Sequence, residues 1–175
     1  AQLASEFDTL DELKADLRTR VERMALVEQG MAAREKVLDH LLEAIEIPIP
    51  DSLVAAQTEE HFQDGHGDDD HKAEVEENTR KSIKTQFILD KIADAEELTV
   101  GQAELSQWLV TQAPRYGMTP DQFAEALVQA GQVQMAVADV RRGKALALVL
   151  QKADVTDASG NEVNLAALDE AVEEE

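Results

Sequence analysis

TLDELKADLRTRVERMALVEQGMAAREKVLDHLLEAIEIPIP, residues 9–50, is the stretch that decides the fold. It opens with a capping box, in which the Thr9 hydroxyl is placed to accept from an orphan backbone N–H and Glu12 reaches back three residues later. Leu10, Leu13, Leu17, Val21, Met24, Val27, Met31, Leu38, Leu41 and Ile45 follow mostly at steps of three and four, the period of one helical face. The spacing predicts one long helix with an apolar stripe, weakened in its middle at Gly30 by about 1 kcal/mol relative to Ala. It must stop before Pro48 and Pro50, because each lacks an amide donor and biases its predecessor toward extended geometry. Ile47, Pro48, Ile49 and Pro50 then form a stiff apolar elbow.

Outward from the elbow, Asp51 to Gln57 restarts a helix that ends near Phe62. Residues 63–72, with Gly65, Gly67 and three consecutive aspartates, read as a solvated acidic loop. Glu74 to Ala95 reads as a helix returning along the previous one, with Ile83, Phe87, Ile88 and Ile92 on its apolar side, so 51–98 is expected to be an arm-like helical hairpin. Residues 99–155 form a helical body. Its predicted starts are capping boxes at Thr99 with Gln102 and at Thr119 with Gln122, the latter with Pro120 at the first helical position. Gly117 supplies a left-handed stop, and Gly131 divides Pro120–Ala130 from a last helix over Gln132–Lys152. Thr156 to Gly160 reads as a turn, and an acidic tail over 156–175 carries a short helix from Asn164 to Val172.

Composition agrees with an all-α fold. The chain of 175 residues is 43% apolar but has only one Trp, one Tyr and four Phe, so Leu, Val, Ile, Ala and Met must build its core. A chain of this length can bury roughly 70% of its unfolded surface, enough for a true core. Without cysteine there is neither a disulfide framework nor a thiolate metal site. The longest uncharged stretches fall far short of the ~20 apolar residues that cross a bilayer, so a cytoplasmic location and no membrane partner are expected. Sixteen basic against 37 acidic side chains leave a formal charge of -21, which repels nucleic acid phosphates and anionic lipid. That charge is uneven: residues 1–50 carry -5, 51–72 carry -6, 73–98 carry -3, 99–150 balance at zero and 151–175 carry -7. No initiator Met, charged n-region or apolar h-region opens the chain, so Ala1 reads as a position inside a longer polypeptide.

Candidate chemistry is sparse. His61, His66 and His71 with Asp64, Asp68, Asp69 and Asp70 offer ligand types that suit a divalent ion. Their spacing argues against a preformed site, since an EF-hand from Asp64 would need glycine at Asp69 and glutamate at Val75. The segment reads instead as a solubilising loop tip, and no metal or cofactor is expected. No carboxylate stands beside a plausible nucleophile, His40 is isolated, and Gly65 and Gly67 lie among aspartates that repel phosphate. No catalytic residue is therefore assigned. Arg141 with Arg142, an adjacent basic pair in the last helix, reads as ion pairing to acidic helices. The more informative feature is the supply of large apolar side chains at helix ends and elbows: Ile47, Ile49, Phe62, Tyr116, Met118, Phe123, Leu127, Val128 and Met135. Exposed apolar patches rimmed by charge mark binding surfaces, and these nine are the candidate contacts.

Three stretches carry a resemblance. The opening Phe7, Asp8, Thr9, Leu10, Asp11, Glu12, Leu13, the run Leu42, Glu43, Ala44, Ile45, Glu46, Ile47, Pro48 with Leu53 and Val54, and the end from Leu146 to Val155 resemble the carboxy-terminal domain of the bacterial trigger factor family of ribosome-associated chaperones. The Ile-Pro elbow followed by Leu-Val is its most specific part. This resemblance implies an elongated helical body whose projecting arms form a cradle, holding unfolded or nascent polypeptides without ATP and without a cofactor. In the family a linker that precedes the isomerase domain completes the body, so one face of the first helix is expected to lie uncovered. The family's ribosome-docking motif and its peptidyl-prolyl isomerase domain have no match here, so no enzymatic activity and no direct ribosome contact are expected of this chain. A helical interaction or dimerisation module with a fixed partner, including a homodimer, is the alternative.

Overall fold

The computed structural model describes residues 9–59, 61–62, 67–157, 159–161 and 163. Six helices carry the described chain: α1 (Leu10–Ala44), α2 (Asp51–Thr58), α3 (Asp69–Ala95), α4 (Gln102–Gln112), α5 (Pro120–Gln129) and α6 (Val133–Gln151). A 3-10 turn over Ala113–Tyr116 links α4 to α5. Among the described residues there is no strand, only an isolated bridge at Thr156. The fold is all-α, as the patterning predicts. The segment expected to form a helix from Asn164 to Val172 lies outside the described residues.

Local chemistry sets the boundaries. At the start of α1 the Glu12 N–H donates to the Thr9 hydroxyl at 3.2 Å and the Thr9 N–H donates to the Glu12 carboxylate at 3.1 Å, completing the box. The Thr119 and Gln122 pair does the same at 3.3 and 3.0 Å, with Pro120 opening α5. At α4 the expected Thr99 box does not form. Gly101 is the N-cap instead, and its N–H donates to the Glu104 carboxylate at 2.7 Å. Helix α3 starts earlier than expected, at Asp69, because the Asp68 carboxylate accepts from the His71 N–H at 2.9 Å and caps the first turn. Asp69, Asp70, His71 and Lys72 are therefore helical, not loop. Acidic side chains suit that position because the exposed N–H groups of a first turn carry partial positive charge.

Three helix ends share one stop. After α3 the Leu98 N–H reaches Ala93 O at 2.9 Å and the Glu97 N–H reaches Asp94 O at 3.2 Å. The same crossed pair of bonds recurs around Gly117, onto Ala113 and Pro114, and around Gly131, onto Leu127 and Val128. Each is a Schellman stop, which needs a left-handed residue. Gly117 and Gly131 hold φ of 66° and 67° freely, whereas Glu97 holds φ of 51° against its own Cβ.

The chain divides into two compact units, Ala1–Val37 with Leu150–Glu175, and Leu38–Val149. In the first, the α1 positions that are buried are the small Gly30 and Ala33. Leu10, Leu17, Val21, Met24 and Met31, read from the sequence as part of one apolar stripe on a helix with one face expected to lie uncovered, are 50–71% exposed. Beyond α6, Asp157 holds a tight turn. Its carboxylate accepts from the Asn161 side chain at 2.9 Å and from the Asn161 and Ser159 backbone N–H groups at 2.8 Å each, and these bonds lower its pKa.

In the second unit α3 is the central element. Its middle packs on α2, burying Val54, Thr58 and Ile83. Its later turns give Leu89 and Ala93 to a core with Ala145 of α6, around which Leu38, Ile92, Leu98 and Leu146 close. Cations pin the rim. Arg80 donates to Ile49 O and to Asp51, both at 2.7 Å, while Lys81 reaches Asp39 and Lys84 reaches Leu42 O, both at 2.6 Å. From α6, Arg141 donates to Leu98 O at 2.8 Å and pairs with Asp94, and Lys144 donates to Thr99 O at 2.6 Å and pairs with Glu104. Arg142 grips Asp90 with two parallel bonds of 2.8 and 2.9 Å and also holds Asp139. Its guanidinium pKa is raised, first by the Asp90 hydrogen bonds. The ion-pairing role expected of Arg141 and Arg142 is what the structure holds.

Two outcomes test this fold. Glu97→Gly should raise stability by up to about 1 kcal/mol, and Gly131→Ala should lower it by about as much, since a left-handed residue costs that order when it carries a Cβ. Equal denaturation midpoints for both variants and the parent would contradict the stops described. Glu104, held by the Gly101 N–H and then by Lys144, has its carboxyl below the ordinary range. The stabilisation it supplies is complete above the ordinary carboxylate range and is lost as pH falls through its own lowered value, because the unfolded chain takes up the proton first. Glu104→Gln should therefore shrink the acid-side fall in melting temperature, read by circular dichroism between neutral and acidic pH.

Candidate functional site

Helix α4, the 3-10 turn and α5 pack together. Ala113 is fully buried at their junction and Phe123 is 7% exposed. Phe123 lies between two rings, with its centroid 4.9 Å from Tyr116 at an interplanar angle of 18° and 5.9 Å from Trp108 at 28°. Tyr116 stacks on Phe123 yet is 64% exposed, and Gly117 ends the 3-10 turn immediately after it. Met118, Val110, Val128 and Met135 add exposed apolar surface to the same run of sequence, 102–135. That run lies inside the block of zero net charge.

The nine residues singled out from sequence thus separate into three places. Ile47 and Ile49 lie half-buried at the elbow, where Ile49 O is occupied by Arg80. Phe62 lies half-buried past the end of α2, edge-on to His61 at 4.8 Å and to His71 at 6.0 Å. Tyr116, Met118, Leu127, Val128 and Met135 fall along the third, with Leu127 half-buried and the other four exposed. Phe123 does not fit the expectation of an accessible contact. Its ring is the buried support on which Tyr116 sits, since the apolar face of α5 turns inward at that position. Trp108 and Val110 were not singled out, and Phe87, read from the sequence as part of the apolar side of its helix, is 43% exposed where Ile83 and Ile88 are buried. Trp108 sits mid-helix on a plain helical period, so no helix-end signal marks it.

At the α2–α3 connection the Nε2 atoms of His61 and His71 approach to 3.2 Å, with ring centroids 5.5 Å apart. The spacing argued against a preformed metal site here and said nothing of this pair. The early start of α3 brings it about, by placing His71 in the first turn. Gly67, at φ 89°, leaves room for the ring, as a Cβ there would lie 2.6 Å from His71 Cδ2. Among the described residues no three His, Asp or Glu side chains converge as a metal cage. An open groove of about 310 Å³ is lined by Asp39, Leu42, Glu43, Glu77, Arg80, Lys81 and Lys84. Its three cations hold the α1 end and the elbow, so the groove is part of the clamp described above. No helix among the described residues is long and apolar enough to cross a membrane.

These features define an all-helical module whose accessible chemistry is aromatic and aliphatic contact. Residues 9–151 match the family model for the bacterial trigger factor protein C-terminus, and the chain belongs to that family. It is 51% identical over 177 residues to trigger factor of Kineococcus radiotolerans, covering all of this chain and 38% of that protein. It is 52% identical over 172 residues to trigger factor of Paenarthrobacter aurescens, covering 94% of this chain and 37% of that protein. The chain therefore spans well under half the length of these relatives. A solved structure of trigger factor domains from Thermotoga maritima superposes with a TM-score of 0.56 at 25% identity, over 84% of this chain and 96% of that one.

The aromatic stack makes a sharp distinction between neighbours. Phe123→Ser should cost about 3–5 kcal/mol by emptying a buried aromatic site, whereas Tyr116→Ser should cost no more than about 1.5, the worth of one ring contact. Chemical denaturation measures both. A Phe123→Ser protein as stable as the parent would refute the supporting role.

Proposed function

We propose that this chain is the substrate-holding part of an ATP-independent chaperone, binding unfolded or nascent polypeptides through dispersed apolar contacts. The carrying observation is the exposure of Tyr116, Met118, Val128 and Met135 within a stretch of zero net charge, in a chain of net charge -21. Each buried apolar contact contributes about 25 cal/mol per Å², so a single patch binds weakly and lets go without an energy source. Several patches on one scaffold hold longer, because each later contact is intramolecular. Surplus negative charge keeps molecules apart while those patches are open to water. Family membership supports the same reading, with a cytoplasmic location and with ribosome docking left to parts of the longer relatives that this chain does not span. Ile47, Ile49 and Phe62 are proposed as further contacts, and Phe123 as the support of Tyr116.

A second reading rests on α1. Leu10, Leu17, Met24 and Met31 stand seven residues apart and all are exposed, the spacing of a seam that another helix could cover. In that case the chain is an interaction or dimerisation module with a fixed partner.

One pair of measurements separates the two. Suppression of aggregation of a chemically denatured client should fall several-fold in Tyr116→Ser/Val128→Ser, with helicity unchanged by circular dichroism. Unchanged suppression in that variant would remove the patch from the account. A tight dimer by light scattering that binds no unfolded peptide would favour the α1 seam instead.

A further inference from the structure

We propose that His61 and His71 form a two-histidine site for a late first-row divalent cation such as zinc, clipping the end of α2 to the first turn of α3. The two Nε2 atoms stand 3.2 Å apart. Two imidazole nitrogens bound to one tetrahedral zinc, each at about 2.0–2.1 Å, lie about 3.3 Å from each other, so the pair already has the required bite. The centroid separation of 5.5 Å exceeds the nitrogen separation by about two ring radii, so the rings meet tip to tip with the two nitrogens facing each other across the gap. The ion enters by a tilt of the rings off their common line. His61 is exposed and His71 half-buried, which leaves room for that tilt and for water to fill the remaining positions.

Both rings are seated. Asp68 fixes the backbone of His71 by accepting its N–H, and Gly67 leaves the space its ring occupies. Phe62 stands edge-on to both rings and walls one side. The two Nε2 atoms stand at hydrogen-bond distance, with the tautomers of the rings setting which one donates. Metal binding needs both Nε2 lone pairs turned to the ion, so a ring that carries its hydrogen on Nε2 has to take the other tautomer. Imidazole nitrogen selects zinc, nickel or copper over calcium and magnesium, which prefer oxygen. The surrounding run 51–72, at net charge -6, draws cations in but does not choose among them.

Calorimetric titration of zinc chloride into the 175-residue chain tests the site. One saturable zinc per chain is expected, weakened at least about tenfold by His61→Ala and equally by His71→Ala, since even outer-shell losses at metal sites cost that much. Calcium at equal concentration should not displace it. In imidazole NMR spectra zinc should shift His61 and His71 and leave His40 still. No saturable zinc uptake, uptake that survives both substitutions, displacement by calcium, or an equal shift at His40 would each overturn the proposal. Circular dichroism of the two variants should match the parent, and His71→Gln, which keeps a polar side chain, should lose zinc as well. Chaperone activity enters none of these readings, so the site stands or falls apart from the function proposed above.

Discussion

Backbone carbonyls in the last turn of α1 and in the connections between helices need donors, and in this chain long cationic side chains supply them. Arg80 and Lys84 reach Ile49 O and Leu42 O; Arg141 and Lys144 reach Leu98 O and Thr99 O. Leu42 O belongs to the last turn of α1, where carbonyls are left unpaired and slightly negative, while Ile49, Leu98 and Thr99 lie in connections outside the helical ladders, where a carbonyl also needs a donor. An exposed ion pair alone contributes little, about 0–1 kcal/mol, but a charge-assisted bond to an otherwise orphan carbonyl contributes more and also fixes direction. The core formed by Leu89, Ala93 and Ala145 is small. These crossings, reinforced by the two-pronged grip of Arg142 on Asp90, hold the connections around α3 and α6 in one register.

This use of cations shapes the rest of the surface. Arg141, Arg142 and Lys144 are three of the four basic residues in the neutral block, and all three are spent on holding α3, α4 and their junction. What the block shows to solvent in the run 102–135 is therefore mostly uncharged, and Tyr116, Met118, Val128 and Met135 stand out from it. Phe123 and Trp108 pack beneath Tyr116 without being accessible themselves to the same degree. Support and contact are separate jobs, given to adjacent rings.

Much of this was readable from the residues, and the failures have identifiable causes. Thr9 with Glu12, Thr119 with Gln122, the two prolines of the elbow and the glycines at 117 and 131 all act where sequence chemistry places them, because each rests on bonds a few residues long. Thr99 lost its expected role to Gly101, since Glu104 can serve a cap without a side chain and is itself held by Lys144 from α6. The stop at Glu97 was invisible because the residue is the wrong type for its conformation; the packing of Leu98 on the core and the Arg141 bond to its carbonyl hold it there. Periodicity located the apolar face of α1 but not whether anything lies against it, and the same gap put Phe123 among the accessible residues. The approach of His61 to His71 depends on a helix start that a single capping bond moved.

Trp108 is the chain's only tryptophan, and it stacks on the ring that carries Tyr116. Whatever settles on Tyr116 presses on an indole one ring away. The molecule thus has a built-in optical reporter at its surface patch, and the colour and polarisation of its own fluorescence can follow occupancy without any attached dye.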